Sequence, residues 1–371
     1  MRVAIDARKL HDFGIGTYIR NLLRHLARID RETEYVLLCF QDDMDVAQQL
    51  GANFRAVLET SPNYSIREQV RVPYVLMREK PDVFHAPHYV LPPAVPCRSV
   101  VTIHDCIHLR FPQYLPNRAA YVYARASMWA ATRRADRILT VSEASKRDIL
   151  RFFHVKPDKI VVVYNALDEH FGIKATNEED LARVRERYQL DHGFILYVGN
   201  VKPHKNLVLL IEAFDALRQD GFEHLKLLLI GDEISKWPAL RHAVHKYKLH
   251  KHVTFLGYLS DDTLAALYRL AAVFVFPSLY EGFGLPPLEA MASGTPVVTS
   301  NLSSLPEVAG DAAVLVDPYD VLDIKEGMKR VLTDPALREE LRQKGLARAR
   351  QFSWEQSVAR TREIYKEVAQ A

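Results

Sequence analysis

The sequence predicts an α/β protein built from two tandem Rossmann-like domains, each with a doubly wound parallel sheet. Short apolar runs that read as buried strands alternate with helical patterns along both halves of the chain. A length of 371 residues suits about two domains. Residues 168–192 carry several charges and little strand signal, so they separate the two series.

The strands of the first domain are short, continuous apolar runs, which is typical of parallel strands that are covered on both faces. They are predicted at residues 3–5, 35–39, 83–85, 100–104, 137–141 and 160–163. Helices are predicted at residues 16–29 and 118–134, between these strands. The first domain is therefore expected to span residues 1–170.

A second series of strands follows the same rule. These strands are predicted at residues 194–198, 225–230, 253–255, 273–276, 297–299 and 313–316. The second domain is then expected over 193–353, after a linker over 171–192, and a last segment over 354–371 is helical from 354 to 368. Each sheet would turn the carboxyl ends of its strands towards a central cleft, an arrangement that suits an enzyme with two substrates.

Composition narrows the class of protein. A net charge of +3, with 26% charged residues, is too balanced to favour nucleic acid as a partner. Three widely spaced cysteines, Cys39, Cys97 and Cys106, argue against a disulfide framework and against a cysteine metal site. The chain opens on a strand and holds no apolar run near the roughly 20 residues that span a bilayer. We expect a cytoplasmic protein.

The most informative segment is the loop that follows the predicted strand 273–276. Glu281 and Glu289 stand eight residues apart around Gly282 and Gly284, and a double proline then opens a short helix predicted at 288–293. The start of a helix after a parallel strand is a common anion site. Either Glu taken alone is better explained structurally, because Glu289 complements the helix dipole and Glu281 could be a solvated loop residue. Together they fit a nucleotide-sugar, with its diphosphate and its hydroxyl groups.

The first turn of the second domain, residues 197–206, is basic. Gly199 allows a sharp turn, and Lys202, His204 and Lys205 concentrate positive charge there. Such a cluster suits a diphosphate leaving group. A plain solvated basic turn is the alternative. No pair of acids in the sequence reads as a metal-binding Asp-x-Asp.

Two features of the first domain fall at the same kind of position. Gly14 and Gly16 follow the first strand, where they permit close approach of a ligand, although a plain strand-to-helix turn explains them equally well. His104 closes a strand and could donate a hydrogen bond to a sugar hydroxyl, with Asp105 beside it to orient the ring. The glycine pattern is incomplete for a dinucleotide fingerprint, which disfavours a dehydrogenase.

Taken together, these motifs resemble the family 4 glycosyltransferases, which are retaining enzymes of the GT-B fold, and in particular the bacterial mannosyltransferase-like members. The resemblance covers almost the whole chain. It is carried by Ile-Asp-Ala-Arg at 5–8, Gly-Ile-Gly at 14–16, His-Asp at 104–105 and Glu-Gly-Phe-Gly-Leu-Pro at 281–286, and also by residues 300–308 and 352–354.

The resemblance implies site roles in both domains. Glu281 would bind hydroxyls of the donor sugar and stabilise the reacting centre, Glu289 would hold the ribose, and Lys205 would neutralise the diphosphate. The backbone amides of the loop would meet the sugar and the phosphate; they belong to Phe283, Gly284 and Leu285.

In the first domain the resemblance implies that His104 contacts the sugar, while Gly14 and Gly16 line the donor or acceptor side. It also implies that the last helix crosses back onto the first domain, and that neither a metal nor a cofactor is needed. Asn200 and His204 stand where many members carry arginine, so the phosphate charge would rest mainly on Lys205, helped by Lys202 or His204.

The expected reaction moves a hexose from a nucleotide-sugar to a glycan or lipid-linked acceptor with retention of configuration. GDP-mannose is the expected donor, and a UDP-sugar such as UDP-glucose is the alternative. Base recognition is expected near residues 257–259. A nucleotide-sugar epimerase and a non-catalytic nucleotide-sugar-binding subunit are alternatives of other classes. Front-face and double displacement both stay open.

Contact with the membrane is a further expectation. The helix over 118–134 mixes aromatic and basic residues and could rest on an anionic bilayer. An ordinary amphipathic helix with one solvated face is the favoured alternative.

Overall fold

The computed structural model describes residues 1–168, 171–172, 178–190, 192–231 and 237–371. The chain divides into two compact units, Met1–Ala166 with Ser353–Ala371 and Leu167–Phe352. Each unit contains one sheet, in which all of the paired strands are parallel. The predicted pair of Rossmann-like domains is therefore confirmed.

The strands are short. In chain order they are β1 (Arg2–Asp6), β2 (Glu34–Cys39), β3 (Phe54–Leu58), β4 (Val83–Ala86), β5 (Arg98–Thr102), β6 (Arg137–Thr140), β7 (Ile160–Val162), β8 (Phe194–Val198), β9 (Lys226–Ile230), β10 (Val253–Leu256), β11 (Val273–Phe276), β12 (Val297–Ser300) and β13 (Ala313–Val316). Of these, β4, β8, β11 and β12 are buried along their whole length.

Helices join the strands and cover the sheets. They are α1 (Phe13–Ile29), α2 (Val46–Leu50), α3 (Glu68–Glu79), α4 (Ile107–Arg110), α5 (Arg118–Arg134), α6 (Glu143–Phe153), α7 (Glu178–Arg187), α8 (Leu207–Gln219), α9 (Pro238–Lys246), α10 (Asp261–Leu270), α11 (Leu285–Ala292), α12 (Leu305–Ala309), α13 (Val321–Thr333), α14 (Pro335–Ala349) and α15 (Trp354–Gln370).

The strand order explains where each unit can hold a ligand. The first sheet runs β3-β2-β1-β4-β5-β6-β7 and the second β10-β9-β8-β11-β12-β13. In each sheet the order reverses beside the first strand, between β1 and β4 and between β8 and β11. The loops after these strands diverge and leave a crevice, which is where open α/β sheets bind their ligands.

The predicted linker differs from the structure. Within 171–192 the chain forms α7, which packs against α10 of the second unit. Its Leu181 and Val184 are buried, while charged residues surround them, so the segment has a helical apolar face and no strand signal. Residues 173–177 and 191 of the predicted linker lie outside the described residues.

The last helix belongs to the first unit, where it packs against α1, β4 and β5. The Arg362 Nε donates to the carboxylate of Asp30 at 2.6 Å, and the Asp30 side chain is fully buried. Burial alone would raise the pKa of Asp30, but Arg362 and the amides of Glu32 and Thr33 hold that pKa well below its usual range. This ion pair and the apolar face of α15 fix the chain terminus on the first unit.

One core of the first unit is shared by α3, α5 and α6. These helices bury apolar side chains among the strands, including Val72 and Leu76 of α3, Met128 and Ala131 of α5 and Phe153 of α6. Asn117 caps α5 by accepting from the Ala120 amide, and Ser142 caps α6 by accepting from the Ser145 amide.

Candidate active site

The crevice of the second unit is formed by the loops after β8 and β11. Backbone and side-chain hydrogen bonds tie these two loops together. The His204 carbonyl accepts from the Leu279 amide at 2.8 Å and from the Ser278 hydroxyl at 3.1 Å. The Asn206 side-chain amide donates to the carbonyls of Pro277, at 3.2 Å, and Pro318, at 2.6 Å. Both loops are therefore held in position before any ligand arrives.

The structure brings Lys205 and Glu281 into direct contact across the crevice. Lys205 Nζ lies 2.6 Å from Glu281 Oε1, and the two side chains are 11% and 13% exposed. The Lys205 ammonium also lies 5.3 Å from the centre of the Phe276 ring. A positive and a negative group are thus presented side by side at the carboxyl edge of the sheet, although 76 positions separate them in the chain.

Two serines that the sequence reasoning did not single out fix the backbone of the Glu281 loop. The Ser303 hydroxyl donates to the Glu281 carbonyl at 2.7 Å and accepts from the Glu281 amide at 3.2 Å. The Ser304 hydroxyl donates to the Phe283 carbonyl at 2.6 Å. In the sequence, both serines lie in the segment 300–308. This segment helped to carry the family resemblance, but no role was predicted for its residues.

The helix after this loop begins earlier than predicted. α11 starts at Leu285 rather than at residue 288, because Pro286 and Pro287 fit the first helical turn instead of preceding it. Gly284 leads into the helix with φ +117°, and a Cβ there would lie 2.9 Å from Leu305 Cδ2. Phe283 is buried, with its ring edge-on to Phe352 at 5.5 Å. The loop path therefore requires glycine at 284.

Glu289 lies in α11 and accepts a hydrogen bond that the sequence did not predict. The Tyr268 hydroxyl, on α10, donates to Glu289 Oε2 at 2.8 Å. Burial raises the pKa of Glu289 to about 7, and the carboxylates of Asp261 and Asp168 act in the same direction. Tyr268 partly opposes the rise by stabilising the charged form.

The raised pKa predicts how pH affects stability. A carboxyl group that binds its proton more tightly in the folded state favours folding less as pH rises from about 4.5 to about 7. Glu289→Gln removes this titration. We expect the free energy of unfolding of the variant, relative to the natural protein, to rise by on the order of 2 kcal/mol between about pH 5 and about pH 8. Denaturant unfolding at the two pH values measures it, and an unchanged difference would contradict the assignment.

The turn after β8 carries less positive charge than the sequence predicts. Gly199 has φ +154°. A Cβ on Gly231 would collide with the carbonyl oxygen of Gly199, so the backbone at 199 and the backbone at 231 approach each other closely. Asn200 and Lys202 are exposed. His204 is buried, and burial together with the neighbouring Lys205 charge lowers the pKa of His204 to about 4. The expected positive charge at His204 is therefore absent near neutral pH, and Lys202 and Lys205 supply the charge of this turn.

In the first unit, the structure gives Gly14 and Gly16 different surroundings. Gly16 is buried, and a Cβ on it would collide with the backbone carbonyl of Leu10. Gly14 is exposed, and a Cβ on it would meet no atom within 4 Å. Both lie in the first turn of α1. Packing explains Gly16, whereas the structure of this unit alone leaves Gly14 without a packing reason.

This contrast predicts two opposite substitution results. Gly16→Ala is expected to lower the free energy of unfolding by about 1–3 kcal/mol, because the Leu10 backbone must shift. Gly14→Ala is expected to be neutral or to stabilise by up to about 1 kcal/mol, because alanine favours the helix. Chemical unfolding of the two variants measures both. Reduced turnover of a fully stable Gly14→Ala protein would assign Gly14 to a ligand, and equal destabilisation of both variants would contradict the prediction.

His104 lies two residues beyond the end of β5 and differs from expectation in its hydrogen bonding. Its Nε2 lies 3.0 Å from the Pro87 carbonyl, which can only accept, so Nε2 carries the proton. Burial lowers the pKa of His104, and the neutral ring then presents Nδ1 as an acceptor. The expected donation to a ligand hydroxyl is thus unavailable from Nε2, and the neutral ring can only accept a further hydrogen bond, at Nδ1.

A buried chain of polar groups stands behind His104 and was not foreseen. The Tyr18 ring packs edge-on against the imidazole at 4.9 Å, and its hydroxyl lies 3.3 Å from Thr102 Oγ1. Thr102 Oγ1 lies 2.8 Å from His85 Nε2, and His85 Nδ1 lies 2.6 Å from the Tyr365 hydroxyl of α15. A ring contact and a series of hydrogen bonds therefore connect His104 to the last helix.

Comparison with known proteins decides the family. Residues 14–171 match the model described as Glycosyltransferase Family 4, and residues 179–348 match that described as Glycosyl transferases group 1. O-antigen chain mannosyltransferase B of Escherichia coli is 35% identical over 369 residues, which is 95% of this chain and 96% of that protein. The chain belongs to glycosyltransferase family 4.

Solved structures agree with this family 4 fold. The sucrose-phosphate synthase of Thermosynechococcus elongatus matches with a TM-score of 0.79 at 22% identity, covering 99% of this chain and 98% of that one. The Anabaena protein HepE in complex with UDP-glucose matches with a TM-score of 0.78 at 17% identity, covering 98% and 99%. The resemblance inferred from the motifs is confirmed, and the protein is a glycosyltransferase of the GT-B fold.

Two features are absent from the described part of this glycosyltransferase. No group of three or more His, Cys, Asp and Glu side chains among the described residues is placed to hold a metal ion. No helix in the same residues is both long and apolar enough to cross a bilayer.

Proposed function

We propose that this glycosyltransferase moves a hexose, mannose from GDP-mannose, to a lipid-linked or polysaccharide acceptor in cell-surface glycan synthesis, and that it forms an α-linkage with retention. The observation that carries the proposal is the contact of Lys205 with Glu281 at the switch point of the second sheet. The mannosyltransferase name of the Escherichia coli relative supports mannose and the glycan setting.

The donor roles are assigned by charge and position. Lys205, with the exposed Lys202, neutralises the diphosphate, while Glu281 accepts hydrogen bonds from sugar hydroxyls and stabilises the positive charge that develops at the anomeric carbon. Glu289 accepts from the ribose. The backbone of the loop at 283–285 meets the sugar and the phosphate, and Gly199 and Asn200 let the diphosphate approach the turn.

The first unit is proposed to serve the acceptor and the sugar. His104 would accept a hydrogen bond from a sugar hydroxyl through Nδ1. A small polar pocket lies at the switch point of the first sheet and is lined by side chains that include Asp6, Lys9, Asn63 and Tyr64. Charged, amide and phenol groups of this kind suit hydroxyl-rich acceptors. We also propose contact with the inner face of the cytoplasmic membrane, where lipid-linked acceptors reside.

For the chemical step we propose a front-face displacement. The bond between the anomeric carbon and the phosphate oxygen breaks, the acceptor oxygen bonds to that carbon on the same face, and the acceptor proton passes to the departing phosphate oxygen. Glu281 is the one carboxylate within the two loops 199–206 and 277–284, and Lys205 already binds it. Because the Glu281 carboxylate is already held in this ion pair, we favour an electrostatic role for it over the role of a nucleophile.

A donor panel tests the proposal. Purified enzyme is incubated with GDP-, UDP-, ADP- and dTDP-sugars, with and without a chelator, and nucleoside diphosphate release and thermal stabilisation are recorded from the same samples. We expect GDP-mannose to give the response, unchanged by the chelator, with release lost in Glu281→Ala. Isomerised sugar without release would instead identify an epimerase, and binding without turnover in the presence of acceptor glycans would identify a binding subunit.

A UDP-sugar donor is the second candidate, because the Anabaena protein HepE of similar fold was solved with UDP-glucose. The same panel separates the two donors. Release from UDP-glucose alone would replace GDP-mannose in the proposal while leaving the roles of Lys205 and Glu281 in place.

A further inference from the structure

Tyr268 is a buried residue of the second unit to which the proposed function gives no role. Its hydroxyl donates to Glu289 Oε2 at 2.8 Å. Glu289 itself is partly exposed. Within the described ranges of the chain, its other carboxylate oxygen, Oε1, makes no hydrogen bond or ion pair. Tyr268 therefore occupies one oxygen of Glu289 and leaves the second one for a ligand.

Helix geometry directs both side chains towards the crevice. α10 leads from β10 into β11, and α11 leads from β11 into β12, so each helix runs from the carboxyl edge of the parallel sheet to its amino edge. Long side chains on a helix point back towards its amino terminus. Tyr268 and Glu289 therefore both point towards the carboxyl edge, where Lys205 and Glu281 lie.

The surroundings of Tyr268 hold its ring in place. The ring is edge-on to Phe171 at 5.8 Å and tilted against Phe274 at 5.4 Å. The backbone carbonyl of Tyr268 accepts from the hydroxyl of Thr295, which follows α11, so the end of α10 is tied to the end of α11. The contact with Glu289 is thus formed and fixed before a nucleotide arrives.

The other groups around Glu289 oppose its negative charge. The carboxylates of Asp261, at the start of α10, and of Asp168, before α7, repel it, and burial acts in the same direction. The Tyr268 hydroxyl stabilises the charged form. Two ribose hydroxyls that both donate need the charged form, because a protonated carboxyl group keeps one of its oxygens as a donor.

We propose that Tyr268 is a positioning residue for nucleotide binding, whose hydroxyl keeps Glu289 ionised and leaves Oε1 facing the ribose hydroxyls. The inference rests on the proposed contact of Glu289 with the ribose, and it adds the residue that makes this contact available. Because GDP and UDP share the ribose, the assignment is independent of the donor base and of the transferred sugar.

Binding of nucleoside diphosphates as a function of pH tests the assignment. The probes are GDP and UDP, each compared with its 2′,3′-dideoxy analogue, which keeps the base and the diphosphate but lacks both ribose hydroxyls. Calorimetric titration gives the preference for the ribose form as a ratio of two Kd values measured on one protein. The folded fraction and the ionisation of the phosphates affect both values alike, so a substitution that only lowers stability leaves the ratio unchanged.

The natural protein is expected to prefer the ribose form more strongly as pH rises through about 7, because the Glu289 carboxylate forms in this range. Tyr268→Phe should move the midpoint of this rise upwards by about one pH unit. The preference then falls roughly fivefold at about pH 7 and largely returns at about pH 9. Glu289→Gln should abolish the rise, and Tyr268→Phe should change the ratio little in that background.

Tyr35→Phe is the matched control. Tyr35 is also fully buried, and its hydroxyl donates to the carboxylate of Asp30 at 3.1 Å, in the first unit. The substitution therefore removes the same kind of hydrogen bond far along the chain from Glu289. We expect Tyr35→Phe to keep the ratio of the natural protein at every pH.

The possible failures of the inference and of the proposed function are distinguishable. If Tyr268→Phe keeps the ratio of the natural protein over the whole pH range, or if Tyr35→Phe changes it equally, the inference is overturned and the ribose contact stands. If the natural protein binds the ribose and dideoxy forms equally, the ribose contact is wrong and the inference falls with it. If neither GDP nor UDP binds, the proposed donor site is wrong as well. Binding of UDP alone replaces the donor and supports the inference when the pH shift is found.

Discussion

Replacing Glu281 with Gln is expected to lower kcat by roughly 10²–10³-fold while leaving the sheet intact. Gln keeps the shape and can still hydrogen-bond to hydroxyls, but it removes the negative charge proposed to stabilise the anomeric carbon as the phosphate leaves. Steady-state kinetics with the donor identified by the panel measures the effect. Because the charge acts in the transition state, the loss should fall on kcat more than on donor KM.

The loss of a buried partner is the competing explanation, and it can be separated. Glu281→Gln leaves Lys205, which is 11% exposed, without its carboxylate and is expected to cost up to about 3 kcal/mol of stability. The double variant Lys205→Met with Glu281→Gln removes both charges and should recover much of that stability. Turnover of the double variant is compared with that of Lys205→Met alone. If Glu281→Gln lowers turnover no further in the Lys205→Met background, Glu281 acts only through its ion pair with Lys205.

Lys205→Met is expected to reduce kcat by about 10²-fold or more, because it removes the ammonium that lies over the Phe276 ring and that is proposed to neutralise the diphosphate. Lys202 is exposed and belongs to the same turn, so Lys202→Met serves as the control and should cost much less. Lys205→Arg should restore part of the activity. Kinetics of the three variants with one donor measures this series.

The binding of the free nucleoside diphosphate distinguishes the role of Lys205 from general damage. Lys205→Met should weaken GDP binding, whereas binding of the nucleoside should be unaffected, because guanosine carries no phosphate charge. Calorimetric titration with both ligands measures the contrast. Equal weakening of the two would argue that the substitution distorts the crevice and would contradict a phosphate role.

The sequence predicted the elements whose signal is local. Strands such as β8 and β11 are continuous apolar runs that are buried on both faces, so composition alone identifies them. β3 was missed because it lies at the sheet edge, where Arg55 is partly accessible and Leu58 is exposed, and because the charged Arg55 interrupts the apolar pattern. α3 was missed for a related reason, since its outer face is apolar and its interior holds Pro73.

The sequence predicted which residues belong to the site, but it did not predict which side chains contact each other there. Lys205 and Glu281 each follow an identifiable strand, but their pairing depends on β8 and β11 being neighbours, which the order of elements in the sequence leaves open. The Tyr268 hydroxyl on Glu289 and the Pro87 carbonyl on His104 come from distant segments. The second contact decides which ring nitrogen of His104 can face a ligand, so the predicted direction of its hydrogen bond changed.

The return of α15 to the first unit has a consequence for synthesis on the ribosome. The second unit is continuous in sequence from Leu167 to Phe352, so all of it has been translated before the first unit receives its final helix. Until then Asp30 lacks Arg362 and His85 lacks Tyr365. The polypeptide made first is thus the last to complete its fold, and a chain released before α15 has been translated would lack both of these contacts.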